Sequence, residues 1–202
     1  MSIARDITER KRGEETLARW TAQLALLSDV GRQIAAILGV EQVLERAAQL
    51  VHDAFGYHHV ALFIVDRERQ ELVMKAIAGK FVKLFPPNHR VPLNRGMVGW
   101  VGEHGRRLLA DDVESEPHYV NFYPDLIPTR SELSVPICSG DRTIGVLDIQ
   151  SPRLNAFDES DVKVMETLAD QIAVAMTNAQ LYKEAREARM STGTPDTAPD
   201  ET

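Results

Sequence analysis

The side chains best suited to chemistry lie in one irregular stretch, residues 111–130. It carries His118, Tyr119, Phe122 and Tyr123, is interrupted by Pro124 and Pro128, and ends on Arg130. Aromatic rings offer faces for stacking, while an imidazole and a guanidinium offer donors to polar or anionic groups. Irregular segments this long inside a domain commonly act as lids or binding loops. Ser134 adds a hydroxyl on the mixed face of the strand that follows. The candidate ligand-binding residues are therefore His118, Tyr119, Phe122, Tyr123, Arg130 and Ser134. The alternative is that Tyr119, Phe122 and Tyr123 fill the space with their own rings.

Other chemistry is sparsely supplied. Cys138 is the single cysteine, which excludes an internal disulfide and a multi-cysteine metal site. There is no G-x-S-x-G elbow, H-E-x-x-H pair or phosphate loop. Gly96, Gly99, Gly102 and Gly105 recur every third residue, but no strong strand leads into them and no Lys-Ser/Thr follows. They read as a short, closely packed helix stopped by Gly105. Asp111, Asp112, Glu114 and Glu116 read as a solvated loop rather than a cation site. His58-His59 reads as a solvated strand end. No catalytic or metal residues are assigned, an enzyme is not expected, and the cofactor is unknown. The net charge of -7 argues against nucleic acid. No apolar run is long enough to span a bilayer and no signal peptide opens the chain, so the cytoplasm is expected, without membrane insertion.

The elements that must position these residues centre on Arg130 to Ser151. Two β-rich runs flank Ser139-Gly140-Asp141-Arg142, a tight-turn signal. Leu133, Val135 and Ile137 alternate with Ser134, Pro136 and Cys138. Ile144 and Val146 share a face with Asp148, opposite Leu147 and Ile149, so the second strand reads as central. Pro136 predicts a bulge or an unpaired side. A second hairpin is expected from His58–Val65 and Glu71–Ala78. Between the hairpins lie a loop over Lys80–Asn94, a helix capped by Asn94, and a short strand over Arg106–Ala110. A helix from about Glu41 to Ala54 ends at Phe55-Gly56.

Two further helices carry three-four spacing. Leu17, Trp20, Leu24, Leu27, Gly31, Ile34 and Leu38 form one heptad seam, following an Asp6–Glu9 capping box. Met165, Leu168, Ile172, Ala175, Ala179 and Tyr182 form another, in a helix from about Glu159 to Arg189 capped by Asp158 or Ser160. Leu17, Trp20, Leu24, Leu27, Met165, Leu168, Ile172 and Tyr182 are the candidate dimer-helix residues. The first helix reads equally as one packed on its own domain. Met190–Thr202 lacks an apolar pattern and is expected to be disordered.

Several stretches resemble the GAF domain family: N-R-G-M-V-G-W-V-G-E-H-G-R-R-L-L-A-D-D-V, S-E-L-S-V-P-I, G-V-L-D-I-Q-S, and the helix from Phe157 to Tyr182. The opening A-R-D-I-T-E-R-K-R-G-E-E resembles the end of a PAS domain. The resemblance implies an α+β fold, a central antiparallel sheet with helices packed on one face and long terminal helices in a dimer bundle. It implies three parts: a PAS-end remnant and linker helix over 1–25, a GAF domain over 26–185 and a disordered tail over 186–202. It also implies a regulatory sensory module that binds an unidentified small molecule under Lys80–Asn94 and Asp111–Arg130. As a homodimer, such a module relays its state to a fused or partner output, a histidine kinase or cyclase. A ligand-free relay is the alternative. A free methionine sulfoxide reductase is disfavoured, because turnover by disulfide exchange needs more than one thiol. Gln150-Ser151 replaces the Asn-Lys pair of cyclic-nucleotide binders, and Cys138 is misplaced for a bilin thioether. Haem ligation by His58, His59, His89, His104 or His118 is likewise disfavoured.

Overall fold

Two strands with apolar residues on both faces occupy the middle of one sheet. In this computed structural model, which describes residues 25, 28–37, 39–122 and 126–192, they are β1, His59–Asp66, and β6, Arg142–Ser151. Outward from β1 come β2, Glu71–Gly79, and β3, Arg90–Pro92. Outward from β6 come β5, Ser131–Ser139, and β4, Leu108–Ala110. The order is β3-β2-β1-β6-β5-β4, and every neighbouring pair is antiparallel. The expected loop over Lys80–Asn94 thus contains a short edge strand, β3, which three residues of β2 recruit.

The hairpin of β5 and β6 carries its irregularity near Pro136, as that residue predicted. β4 pairs only with Glu132–Ser134, so Pro136 has no ladder partner on that side. On the other side Ile137 opposes Gly145 while Cys138 opposes Thr143, which leaves Ile144 as the extra residue of a bulge. The bulge corrects one expectation. Ile144 packs with the core under the helices, whereas Val146 belongs to the opposite face with Asp148.

The helices α1, Val40–Phe55, and α3, Glu159–Thr192, cover one face. Gly56 ends α1 with φ 68°, and its N–H donates to the His52 carbonyl. Asp158 caps α3 by accepting from the N–H groups of Ser160 and Asp161, at 2.9 and 3.0 Å. Asp161 Oδ2 reciprocates on the Asp158 N–H at 3.0 Å. Residues 28–35 are helical, with Val30 and Ile34 buried in the same layer. Gly31 lies against the Gln171 side chain, where a Cβ would collide.

This layer corrects the reading of α3 as a dimer seam. Met165, Leu168 and Ile172 are fully buried against Leu133, Val135, Leu147 and Ile149 of the same chain. Their three-four spacing is the period of a helix packed on its own sheet, each side chain contributing about 1.5–3 kcal/mol. Tyr182 is exposed, as are Val174 and Leu181. α3 also runs to Thr192, so residues 186–192 of the expected tail are helical. Leu17, Trp20, Leu24, Leu27, Leu38, Tyr123, the Asp6 box and the PAS-like opening lie outside the described residues.

The other face carries α2, Gly96–His104, which starts after Arg95 without any side-chain cap, not after a capping Asn94. Its glycine period is a packing device. A Cβ on Gly99 would lie 2.5 Å from the Pro92 carbonyl oxygen, and one on Gly102 3.0 Å from Leu93 Cδ2. Gly105 closes the helix with φ 64°. Among the described residues, no helix is long and apolar enough to cross a membrane.

Candidate functional site

Under α2 the sheet face changes character. β5 places Glu132 opposite Gln150 and Ser134 opposite Asp148, and β1 places His59 opposite Gln150 and Ala61 opposite Asp148. A two-by-two polar patch therefore sits where the sheet is otherwise apolar. Glu132 is 4% exposed and Asp148 1%. Burial of a carboxylate is costly unless donors replace water. Ser134 Oγ donates to Asp148 Oδ1 at 2.7 Å and lies 3.5 Å from Glu132 Oε1. Gln150 Nε2 donates to Asp148 Oδ2 at 2.9 Å, while Thr129 Oγ1 donates to Gln150 Oε1 at 2.8 Å.

The two carboxyls also hydrogen-bond to each other, which requires a proton between them. Desolvation drives both upward. Glu132 is pushed well above the usual carboxylate range, with the Asp148 charge adding to the effect. Burial pushes Asp148 up to about 6, opposed by the hydrogen bonds from Ser134, Gln150 and Glu132. Glu132 is raised the more strongly, so Asp148 is the carboxyl that gives up its proton more readily. Among the described residues neither carboxyl has an ion-pair partner.

The pair opens onto a cavity of about 50 Å³, which His59, His89, Phe85 and Phe122 also line. His59 is 1% exposed and its Nδ1 has no hydrogen-bond partner. Burial, with small additions from His58 and His52, pulls it down to about 4, so the ring is neutral. His89 Nε2 is likewise buried without a partner, and burial lowers that ring too. Phe85 lies between them, its centroid 6.1 Å from His59 and 5.2 Å from His89. His59 is thus a buried wall residue and not the solvated strand end expected. Phe81 and Phe85 cover it, and both come from the loop after β2.

The candidate residues divide. Phe122 lines the cavity, with the Arg95 guanidinium 5.0 Å from its ring centroid. Ser134 stands directly behind the cavity as donor to the acid pair. Tyr119 packs beside Met97, Ala110 and Val113, and its hydroxyl bonds Thr129 and Asn121; burial pushes it up to about 12. His118 is outside the cavity. Its Nδ1 is 2.8 Å from Glu116 Oε1 and its ring packs on Trp100. Arg130 is also outside, with Nη2 3.4 Å from Asp112 Oδ2. These two contacts hold His118 and Arg130 in the loop's own scaffold. Asp112 further caps the 3₁₀ turn Val113–Ser115.

Glu132, Asp148, Gln150, His59 and His89 went unassigned in the sequence. The available signal was Asp148, a carboxylate inside a strand apolar on both faces. Glu132 repeats it, two residues before Ser134 and on the side away from Leu133.

The GAF domain family model matches residues 37–177, well over half of the chain. The chain belongs to the GAF domain family. The GAF domain-containing protein A of Dictyostelium discoideum is 29% identical over 140 residues, covering 69% of this chain and 78% of that protein. The GAF domain of a phosphoenolpyruvate-protein phosphotransferase from Coxiella burnetii superposes with a TM-score of 0.74 at 26% identity, covering 82% of this chain and 98% of that one. A free methionine-R-sulfoxide reductase of Neisseria meningitidis, solved with its substrate, superposes with a TM-score of 0.72 at 26% identity, covering 81% and 93%. The same fold thus occurs among these neighbours both as a domain of a larger phosphotransferase and as a free methionine-R-sulfoxide reductase, and the α+β architecture agrees with both.

Proposed function

We propose that this GAF domain is the sensory module of a cytoplasmic signal-transduction protein, with its ligand in the cavity above Asp148. The observation that carries the reading is the buried, unpartnered His59 beside a buried carboxyl pair on a cavity wall. Polar groups are left this way at a cost, and a polar small molecule would satisfy them. The ligand would touch β1, β5 and β6, and β6 leads through Asp158 directly into α3. Occupancy can therefore bias the position of the helices on the opposite face. The relay would run through a homodimer joined along Leu17, Trp20, Leu24 and Leu27. Its output would be a fused or partner domain such as a histidine kinase or cyclase, with a PAS domain preceding the module. Native mass spectrometry of freshly purified protein tests this: a dimer with a discrete extra mass supports a ligand-gated sensor.

The small cavity favours a second reading, a ligand-free relay in which Phe85 and Phe122 fill the pocket. A clean apo dimer that no added small molecule perturbs would decide for it. The reductase reading has the position of Cys138 against it. That residue lies four positions along β5 from Ser134, about 13 Å at the strand rise, and does not line the cavity. Incubation with free methionine-R-sulfoxide and a dithiol, with Cys138→Ser as control, tests it: cysteine-dependent turnover would overturn the sensory assignment.

A further inference from the structure

We propose that the cavity takes a compact cation, the protonated amine of a small molecule, with its charge met by the Asp148 carboxylate beside Glu132. The inference rests on the ligand-binding reading above and names the chemical class of the ligand.

The charge balance of the site points this way. Asp148 receives only neutral donors: the Ser134 hydroxyl, the Gln150 amide and the Glu132 carboxyl. A carboxylate offers about four lone-pair positions, so room remains for a further donor. The other titratable groups around the pair supply no positive charge. From β1 comes His59 and from the loop before β3 comes His89, both neutral. From residues 111–130 come the Tyr119 hydroxyl and the Glu116 carboxylate, the latter disfavouring further negative charge at Glu132. The nearby guanidiniums are turned elsewhere, Arg130 to Asp112 and Arg95 over Phe122. An anionic group would meet the Asp148 charge with neither guanidinium on the cavity wall, and the first turn of α2, Gly96–Val98, is the one lining feature among the described residues that would favour it.

His59 supplies the second, independent observation. Its buried Nδ1 lacks a partner and belongs to a neutral ring. In the tautomer protonated on Nε2, that nitrogen accepts a hydrogen bond. An ammonium carries three N–H donors and can serve Asp148 and His59 together. The rings of Phe85 and Phe122 also line the cavity, and an aromatic ring is a favourable neighbour for a desolvated cation. The volume of about 50 Å³ restricts the buried group to a few heavy atoms. A proton and the ligand compete for the same Asp148 oxygens. Affinity should therefore fall as pH drops through about 6, by about tenfold per unit once Asp148 is protonated.

The test uses the full chain, ¹⁵N-labelled and titrated with ethylammonium chloride, ethanol or sodium acetate at constant ionic strength. The expected result is saturable perturbation of the His59, Ser134 and Asp148 amides by ethylammonium at pH 7.5. Its Kd should rise about tenfold at pH 5, and saturation should be lost in Asp148→Asn. The pH dependence is read on the unmodified chain, so it stands even if that variant folds poorly. Ethanol or acetate binding as tightly as ethylammonium would overturn the cationic class while leaving the cavity a binding site. Equal ethylammonium binding by Asp148→Asn, or a Kd unchanged at pH 5, would also overturn it. If no probe perturbs the cavity amides, the ligand-binding reading falls as well.

Discussion

Glu132 and His59 make opposite demands on the solution. The Glu132 carboxyl is raised in the fold, so the folded state binds a proton that the unfolded chain releases above about 4.5. Stability from this group is fully present below that value and is lost as pH rises toward its folded value. His59 is depressed to about 4. Its contribution is present above about 6.5 and is lost as pH falls, because the unfolded imidazole takes up a proton first. Replacement of Glu132 by Gln keeps the shape and the donor to Asp148 but removes the titration. The free energy of Glu132→Gln relative to the parent should therefore increase from pH 4.5 to 7.5, by on the order of 1 kcal/mol per unit at most. Urea unfolding at three pH values measures it, and a parallel pair of curves would refute the shared-proton assignment. Ser134 tests the same pair from the other side. Ser134→Ala removes the 2.7 Å donor to Asp148 and should cost about 1–3 kcal/mol at pH 7.5. The cost should shrink at pH 5, where Asp148 is largely neutral.

At the scale of elements, the glycines of α2 and the long period of α3 do different work. Gly99 lets α2 approach the chain end of β3, because a methyl there would meet the Pro92 carbonyl oxygen at 2.5 Å. Backbone atoms cannot yield as a side-chain tip can. Gly99→Ala should therefore destabilise the domain by about 1–3 kcal/mol despite alanine's better helix propensity. A thermal melt above that of the parent would show that α2 does not sit as described. On α3, Leu168 is fully buried and Val174 exposed. Leu168→Ala should cost about 2–5 kcal/mol through the cavity it leaves, whereas Val174→Ala should stay within about 0.5 kcal/mol. Comparable losses at both positions in chemical denaturation would contradict the side of α3 placed against the sheet.

At the scale of the whole molecule, the sheet separates two different layers: a packed helical layer and a cavity-bearing layer under α2. With Met165, Leu168 and Ile172 packed inside the protomer, a dimer contact on α3 would have to use its outer residues, among them Val174, Leu181 and Tyr182. If the proposed homodimer also uses α3, Val174→Glu with Leu181→Glu should weaken self-association at least tenfold in sedimentation equilibrium with the melting temperature nearly unchanged, whereas Leu168→Ala should leave association alone; unchanged association in the double variant would confine the dimer contact to the segment before α1. The two hairpins and their flanking helices, the central place of β6, the bulge near Pro136 and the stops at Gly56 and Gly105 were legible in the sequence, whereas the edge strand β3 was not. The legible features follow from local rules: side-chain period, ring constraint and positive φ. Tertiary structure alone decided which surface each period faces, because a three-four stripe is the same whether it meets a sheet or a second helix. It also decided which polar side chains meet at the cavity. His118 and Arg130 had suitable chemistry but were tied to Glu116 and Asp112. The polar cavity wall was instead made by Glu132, Asp148 and His59, which come together only when β5, β6 and β1 pair and bury what each strand alone would leave in water.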